Sequence, residues 1–123
     1  MPVDQARRII PDKIIGATAN CAGDMISAWR AGADYIGLGP FRFTTTKKKL
    51  SPVLGIEGYR HEITTARRHG VDIPIVAIGG ITGRDIHGIL NAGPDGIAIS
   101  GAILNAPDPV GATRHILDCI SQK

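Results

Sequence analysis

Apolar residues in this chain gather into four short, nearly unbroken runs: Lys13 to Thr18 (KIIGAT), Asp34 to Leu38, Pro74 to Ile78 (PIVAI) and Asp95 to Ile99. Runs of this length predict strands. They alternate too little to be exposed on one face, which is the pattern of parallel strands covered on both sides. Between them the spacing turns helical. Cys21 to Ala31 places Met25, Ile26, Ala28 and Trp29 on one face, with Asn20 positioned to cap that helix and Gly32 to end it. Further helices are expected over Val3 to Ile10, led by Pro2 and stopped by Pro11, and over Ile56 to His69, closed by Gly70. Thr82 and Asp85 form a capping box for another helix, which Gly93 stops, and Pro109 opens a last one ending near Ile120.

One helix followed by four strand–helix pairs predicts parallel α/β architecture. A weak repeat supports it. Ala31-Gly32-Ala33-Asp34 ahead of the second run recurs as Ala92-Gly93-Pro94-Asp95 ahead of the fourth. The copies lie two strand–helix units apart, as in a barrel of modular repeats. A chain of 123 residues is expected to be a single domain over residues 1–123.

Composition narrows the chemistry. Hydrophobic residues make up 43% of the chain but aromatics only 4%, so the core is aliphatic. The formal charge is +3, and Lys47, Lys48 and Lys49 are consecutive. No basic stripe interleaved with aromatics accompanies them, so a local anion site is expected and a nucleic-acid partner is not. Cys21 and Cys119 belong to no CxxC or Cys/His pattern, which predicts free thiols in a reducing compartment. No run reaches membrane-spanning length and the N-terminus lacks a signal-peptide core. A soluble cytoplasmic protein with no membrane partner is the expectation.

In parallel α/β structures all strand exits point to one face, where ligands collect. Here the exits read Thr18 and Asn20, then the loop Gly39 to Lys49, then Gly79-Gly80, then Ser100-Gly101. The loop combines Thr44, Thr45 and Thr46 with the three lysines, hydroxyls and ammonium groups suited to a phosphate or pyrophosphate. Gly79-Gly80 and Ser100-Gly101 leave backbone N–H groups near helix starts, where anions are stabilised. Each feature alone also suits an ordinary turn, helix cap or solvated charge run; together they predict two neighbouring anion sites. His61, His69, His87 and His115 fall on predicted helices away from the exits, and Glu57 and Glu62 are expected as surface carboxylates. Trp29 is expected in the core.

From Pro2 onward the chain resembles the second half of thiamine phosphate synthase. The matching stretches are PVDQARRII, KIIGAT, AGADYIGLGP, TTTKK, IPIVAIGGIT and AGPDGIAISGAI, in order and at family-like spacing. The resemblance implies a (β/α)8 TIM barrel of which this chain covers about the C-terminal half. It implies a transferase of thiamine biosynthesis that joins hydroxymethylpyrimidine diphosphate to hydroxyethylthiazole phosphate and releases pyrophosphate. It assigns Thr44, Thr46, Lys47 and Thr18 to the pyrophosphate, with Lys47 and Thr18 acting on the leaving group. Gly80, Ser100 and Gly101 fall at the thiazole-phosphate site. Mg²⁺ is the implied cofactor, but its aspartate ligands belong to the first half of the family's chain, and nothing in this sequence corresponds to that half.

The sequence departs from the family's pattern at Phe41-Arg42-Phe43, at Asn20 where histidine is common, and at Gly101 where serine is common. A thiazole tautomerase-like relative shares the fold, although Pro40 with Thr44-x-Thr46-Lys47 favours the synthase. A non-catalytic phosphate-binding half-barrel is the remaining alternative. Four parallel strands cannot close a barrel, so association with a second copy or with a complementary N-terminal half is expected.

Overall fold

The computed structural model describes residues 1–42 and 53–121. Its elements run α1 (Val3–Ile9), β1 (Gly16–Ala19), α2 (Ala22–Arg30), β2 (Tyr35–Leu38), α3 (Gly55–Arg68) and β3 (Ile75–Ala77). A 3-10 turn (Gly83–Asp85) then leads into α4 (Ile86–Asn91), followed by β4 (Gly96–Ile97), α5 (Gly101–Leu104) and α6 (Pro109–Ser121). The strands form one parallel sheet in the order β1-β2-β3-β4. Each successive strand is therefore added beside the last through a helical crossover, as in one arc of a barrel.

Alternation along the strands decides which face the helices cover. Ile36 and Leu38 on β2 and Ile75 and Ala77 on β3 are fully buried, with Met25 and Ala66 of the helices in the same core. The opposite face carries one register layer of Thr18, Gly37, Val76 and Gly96, three of them small or polar. Thr18 is exposed there, whereas its neighbour Gly37 is buried beneath the Ile78 side chain.

The repeated AGAD and AGPD segments build the same clasp twice. Arg7 on α1 donates to the carbonyls of Lys13 and Gly32 and to Asp34 Oδ2 at 2.7 Å, and Asp34 Oδ2 also accepts the Ile15 N–H. Arg67 on α3 donates to the carbonyls of Val71 and Ile73 and to Asp95 Oδ2 at 2.8 Å, and that oxygen accepts the Ile75 N–H. Each arginine thus ties a helix end to the starts of two neighbouring strands. The Ile15 amide, and after it the Arg7 guanidinium, holds the Asp34 carboxyl below its ordinary range. Gly32 and Gly93, at φ 104° and 123°, make the turns that place these aspartates.

Four details differ from the sequence reading. The first strand begins at Gly16, just after the Ile15 amide is taken by Asp34, and the fourth covers only Gly96–Ile97. Cys21, not Asn20, is the N-cap of α2, since the Asn20 amide donates to Asp24 and its side chain to the Gly39 carbonyl. Glu62 is not simply a surface carboxylate: it reaches across from α3 to accept the Ala22 N–H at 3.1 Å, satisfying a donor of the first turn of α2. The short helix α5 follows the fourth strand where only a turn is expected. Trp29 packs against the core with its indole N–H donated to Asp72, and all four histidines are exposed.

Candidate active site

The strand exits share one rim. Toward its β4 end a cavity of ≈ 770 Å³ opens between the ends of β3 and β4, bordered by Arg42, Gly80, Thr82, Ser100, Gly101 and Asn105. The expected phosphate residues Gly80, Ser100 and Gly101 are therefore brought together on one cavity. Thr18 does not line it; β1 lies two strands away from β3 in the sheet. Thr44, Thr46 and Lys47 lie outside the described residues. The start of their loop is described, and it ends on this cavity through Arg42.

The backbone shows why the exit of β3 must be glycine. Gly79 and Gly80 have φ of 90° and 71°, a region that side chains disfavour. A Cβ on Gly79 would meet Pro40 Cα at 2.9 Å, and one on Gly80 would meet the Arg42 carbonyl oxygen at 2.5 Å. The chain after β2 thus packs directly on this turn. The Gly79 carbonyl accepts the amides of Phe41 and Arg42 at 2.9 and 3.2 Å, and the Gly80 carbonyl accepts Arg42 Nη1–H at 3.0 Å.

A trans peptide points its C=O and N–H in opposite directions. With the carbonyls of Gly79 and Gly80 turned toward the segment after β2, the N–H groups of Gly80 and Ile81 are turned away from it. Among the described residues neither amide has a hydrogen-bond partner. Ser100 and Gly101 border the same space from β4, and their amides also lack partners among the described residues. Ser100 sits at the N-cap position of α5 without a side-chain cap bond, so its hydroxyl is not engaged in capping. The cavity is thus bordered by amides and a hydroxyl that have no hydrogen-bond partner among the described residues.

A stacked column supports the rim from below. Tyr59 of α3 is fully buried and donates its hydroxyl to the Leu38 carbonyl at 2.8 Å and the Ile78 carbonyl at 3.2 Å, joining the ends of β2 and β3. Burial pushes that hydroxyl well above the ordinary tyrosine range, so it remains a donor. The Phe41 ring stacks on Tyr59 with centroids 6.0 Å apart, and the Arg42 guanidinium lies 4.8 Å over the Phe41 ring. Arg42 then forms a two-pronged pair with Asp85 at 2.7 and 2.8 Å. Burial raises the Asp85 carboxyl, but the Arg42 guanidinium and the Thr82 amide and hydroxyl outweigh it and hold the group below its ordinary range. The expected capping box is present, and the same carboxylate serves both it and Arg42.

Comparison with known proteins decides what this rim belongs to. Residues 1–103 match the family model described as thiamine monophosphate synthase. The chain belongs to that family. A thiamine-phosphate synthase of Bacteroides thetaiotaomicron is 56% identical over 119 residues, 96% of this chain and 57% of the relative. One from Chloroflexus aurantiacus is 41% identical over 121 residues, 98% of this chain and 54% of the relative. The solved thiamine phosphate pyrophosphorylase from Pyrococcus furiosus superposes with a TM-score of 0.85 at 34% identity, covering 99% of this chain and 55% of that one. The four strands and their helices are therefore part of a (β/α)8 barrel, and the chain spans about half the length of these thiamine monophosphate synthase relatives.

The synthase family is one of transferases. Sequence reasoning located Gly80, Ser100 and Gly101 from turn chemistry. It noted Arg42 only as a departure from the family's pattern. A lone arginine between two phenylalanines carries no signal of its own; its partner Asp85 is recognisable in the sequence only as a capping residue. Among the described residues no helix is long and apolar enough to cross a membrane.

Proposed function

We propose that this chain supplies the two phosphate subsites of a thiamine phosphate synthase, as the C-terminal half of the barrel. Gly80, Ser100 and Gly101 receive the phosphate of the thiazole substrate. Thr18, Thr44, Thr46 and Lys47 receive the diphosphate of the pyrimidine substrate. In the reaction the C–O bond to the diphosphate breaks, both electrons leave on pyrophosphate, and the pyrimidine's methylene carbon bonds to the thiazole. Positioned donors stabilise the charge that develops on the departing oxygens. The observation that carries this reading is the cavity at Gly80 and Ser100, edged by amides without partners among the described residues, in a chain of this family.

Mg²⁺ belongs to the reading as the ion that assists pyrophosphate departure. The described residues contain no group of three or more His, Cys, Asp or Glu able to hold a metal. The described residues therefore do not fit the ion. Its ligands are assigned to the complementary half of the barrel.

Lys47→Ala tests the diphosphate subsite. Loss of one charge-assisted contact should weaken pyrophosphate binding to the 123-residue chain by about 1.5–3 kcal/mol, and less so in high salt. An affinity unchanged in calorimetry would remove Lys47 from the site.

The open edges of the four-stranded sheet imply a partner in the cytoplasm, a second copy or the complementary half. Ile14 is 79% exposed ahead of edge strand β1, and Leu104 is 74% exposed beyond edge strand β4. The isolated chain is expected to scatter light as an oligomer. A monodisperse monomer would contradict this assembly.

A further inference from the structure

Arg42 stands at the one place where the loop after β2, the glycine turn after β3 and the 3-10 turn ahead of α4 meet. Its guanidinium does three things at once. It donates from Nη1 to the Gly80 carbonyl at 3.0 Å, it is held by both oxygens of Asp85, and it lies over the Phe41 ring. Asp85 is itself fixed, because its Oδ2 accepts the Thr82 N–H at 2.8 Å and the Thr82 hydroxyl at 2.9 Å. The side chain of Asp85 is only 13% exposed, against 45% for Arg42.

We propose that Arg42 is a positioning residue of the phosphate pocket: anchored by Asp85, it grips the Gly80 carbonyl and so holds the Ile81 amide turned toward the cavity. Glycine at φ 71° is free to rotate this peptide, and nothing else among the described residues bonds to the Gly80 carbonyl. Without the grip, the carbonyl oxygen could turn into the cavity and place a partial negative charge where an anion is to bind. A planar fork with donors in fixed directions can hold a carboxylate and a carbonyl together. A lysine, with one ammonium on a flexible stem, cannot reproduce both. The same contacts bind the segment after β2, at Arg42, to the turn after β3.

This inference rests on the reading of Gly80, Ser100 and Gly101 as a phosphate site. It is separated from that reading by the sign of one charge change. Asp85→Asn removes a negative charge beside an anion site. If Arg42 simply attracted phosphate, freeing it from Asp85 would tighten binding. If Arg42 positions the backbone, the same change loosens the grip and weakens binding.

The experiment is calorimetric titration of the 123-residue chain with inorganic phosphate at fixed ionic strength, for wild type, Arg42→Lys and Asp85→Asn, with thermal melts to verify folding. Both variants are expected to bind phosphate about tenfold more weakly than wild type, the loss of roughly one charge-assisted contact. Tighter or unchanged binding by Asp85→Asn would overturn the proposal, as would wild-type affinity in Arg42→Lys. Should Asp85→Asn fail to fold through loss of its capping role, Arg42→Lys leaves the capping box intact and decides alone. A wild-type chain that binds no phosphate would overturn the site reading and this inference with it. Wild-type binding with insensitive variants would overturn the role of Arg42 only.

Discussion

Tyr59→Ala is expected to cost about 3–5 kcal/mol, the range for emptying a buried aromatic position. Tyr59 is fully buried, and it heads the largest buried side chains of the core. Its loss removes the base on which Phe41 stacks and leaves the carbonyls of Leu38 and Ile78 without the hydroxyl they share. Against a total stability of about 5–15 kcal/mol, that is enough to unfold a marginal chain. Tyr59→Phe keeps the ring and should cost about 1–2 kcal/mol, the price of two carbonyls sharing one lost donor. Urea midpoints of the two variants check the ordering. Equal midpoints would mean that packing beneath the rim contributes nothing beyond the hydroxyl.

Gly80→Ala is the second large effect, and it separates function from folding. At φ 71° an alanine costs about 1–2 kcal/mol in backbone conformation alone. Its Cβ would also stand 2.5 Å from the Arg42 carbonyl oxygen, so either the turn or the loop entrance must shift. Stability should fall by about 2–3 kcal/mol in total. Phosphate binding should fall below detection, since the displaced peptides carry the amides that face the cavity. A Gly80→Ala chain that melts lower yet binds phosphate as wild type does would show that the β3 exit does not contact the anion.

Much of this arrangement is legible in the residues because local chemistry and tertiary placement agree. The run Pro74 to Ile78 ending in Gly79-Gly80 predicts a buried strand that stops at a glycine turn, and the structure adds that both glycines take positive φ. Thr82 and Asp85 predict a capping box, and the hydrogen bonds are there. The AGAD and AGPD repeat predicts a modular barrel, and the structure adds why the aspartates recur: each is the acceptor of an Arg clasp.

What the residues do not reveal depends on distant partners. Asn20 is a good cap by type, but a carbonyl at Gly39 claims its side chain. Glu62 is separated by 40 positions from the amide it satisfies. Arg42 owes its role to Gly80 and Asp85, 38 and 43 positions on, and no spacing rule joins them. The resemblance to the synthase family supplied substrate identities; strand-exit chemistry alone reached no further than two adjoining anion sites.

The shared rim is tested most directly by amide-resolved NMR of the 123-residue chain titrated in turn with inorganic phosphate and pyrophosphate. Saturable shifts at Gly80, Ile81, Ser100 and Gly101 with phosphate, joined by Thr44, Thr46 and Lys47 with pyrophosphate, are the predicted result. Shifts confined to the lysine-bearing loop, with the β3 and β4 exits silent, would contradict it.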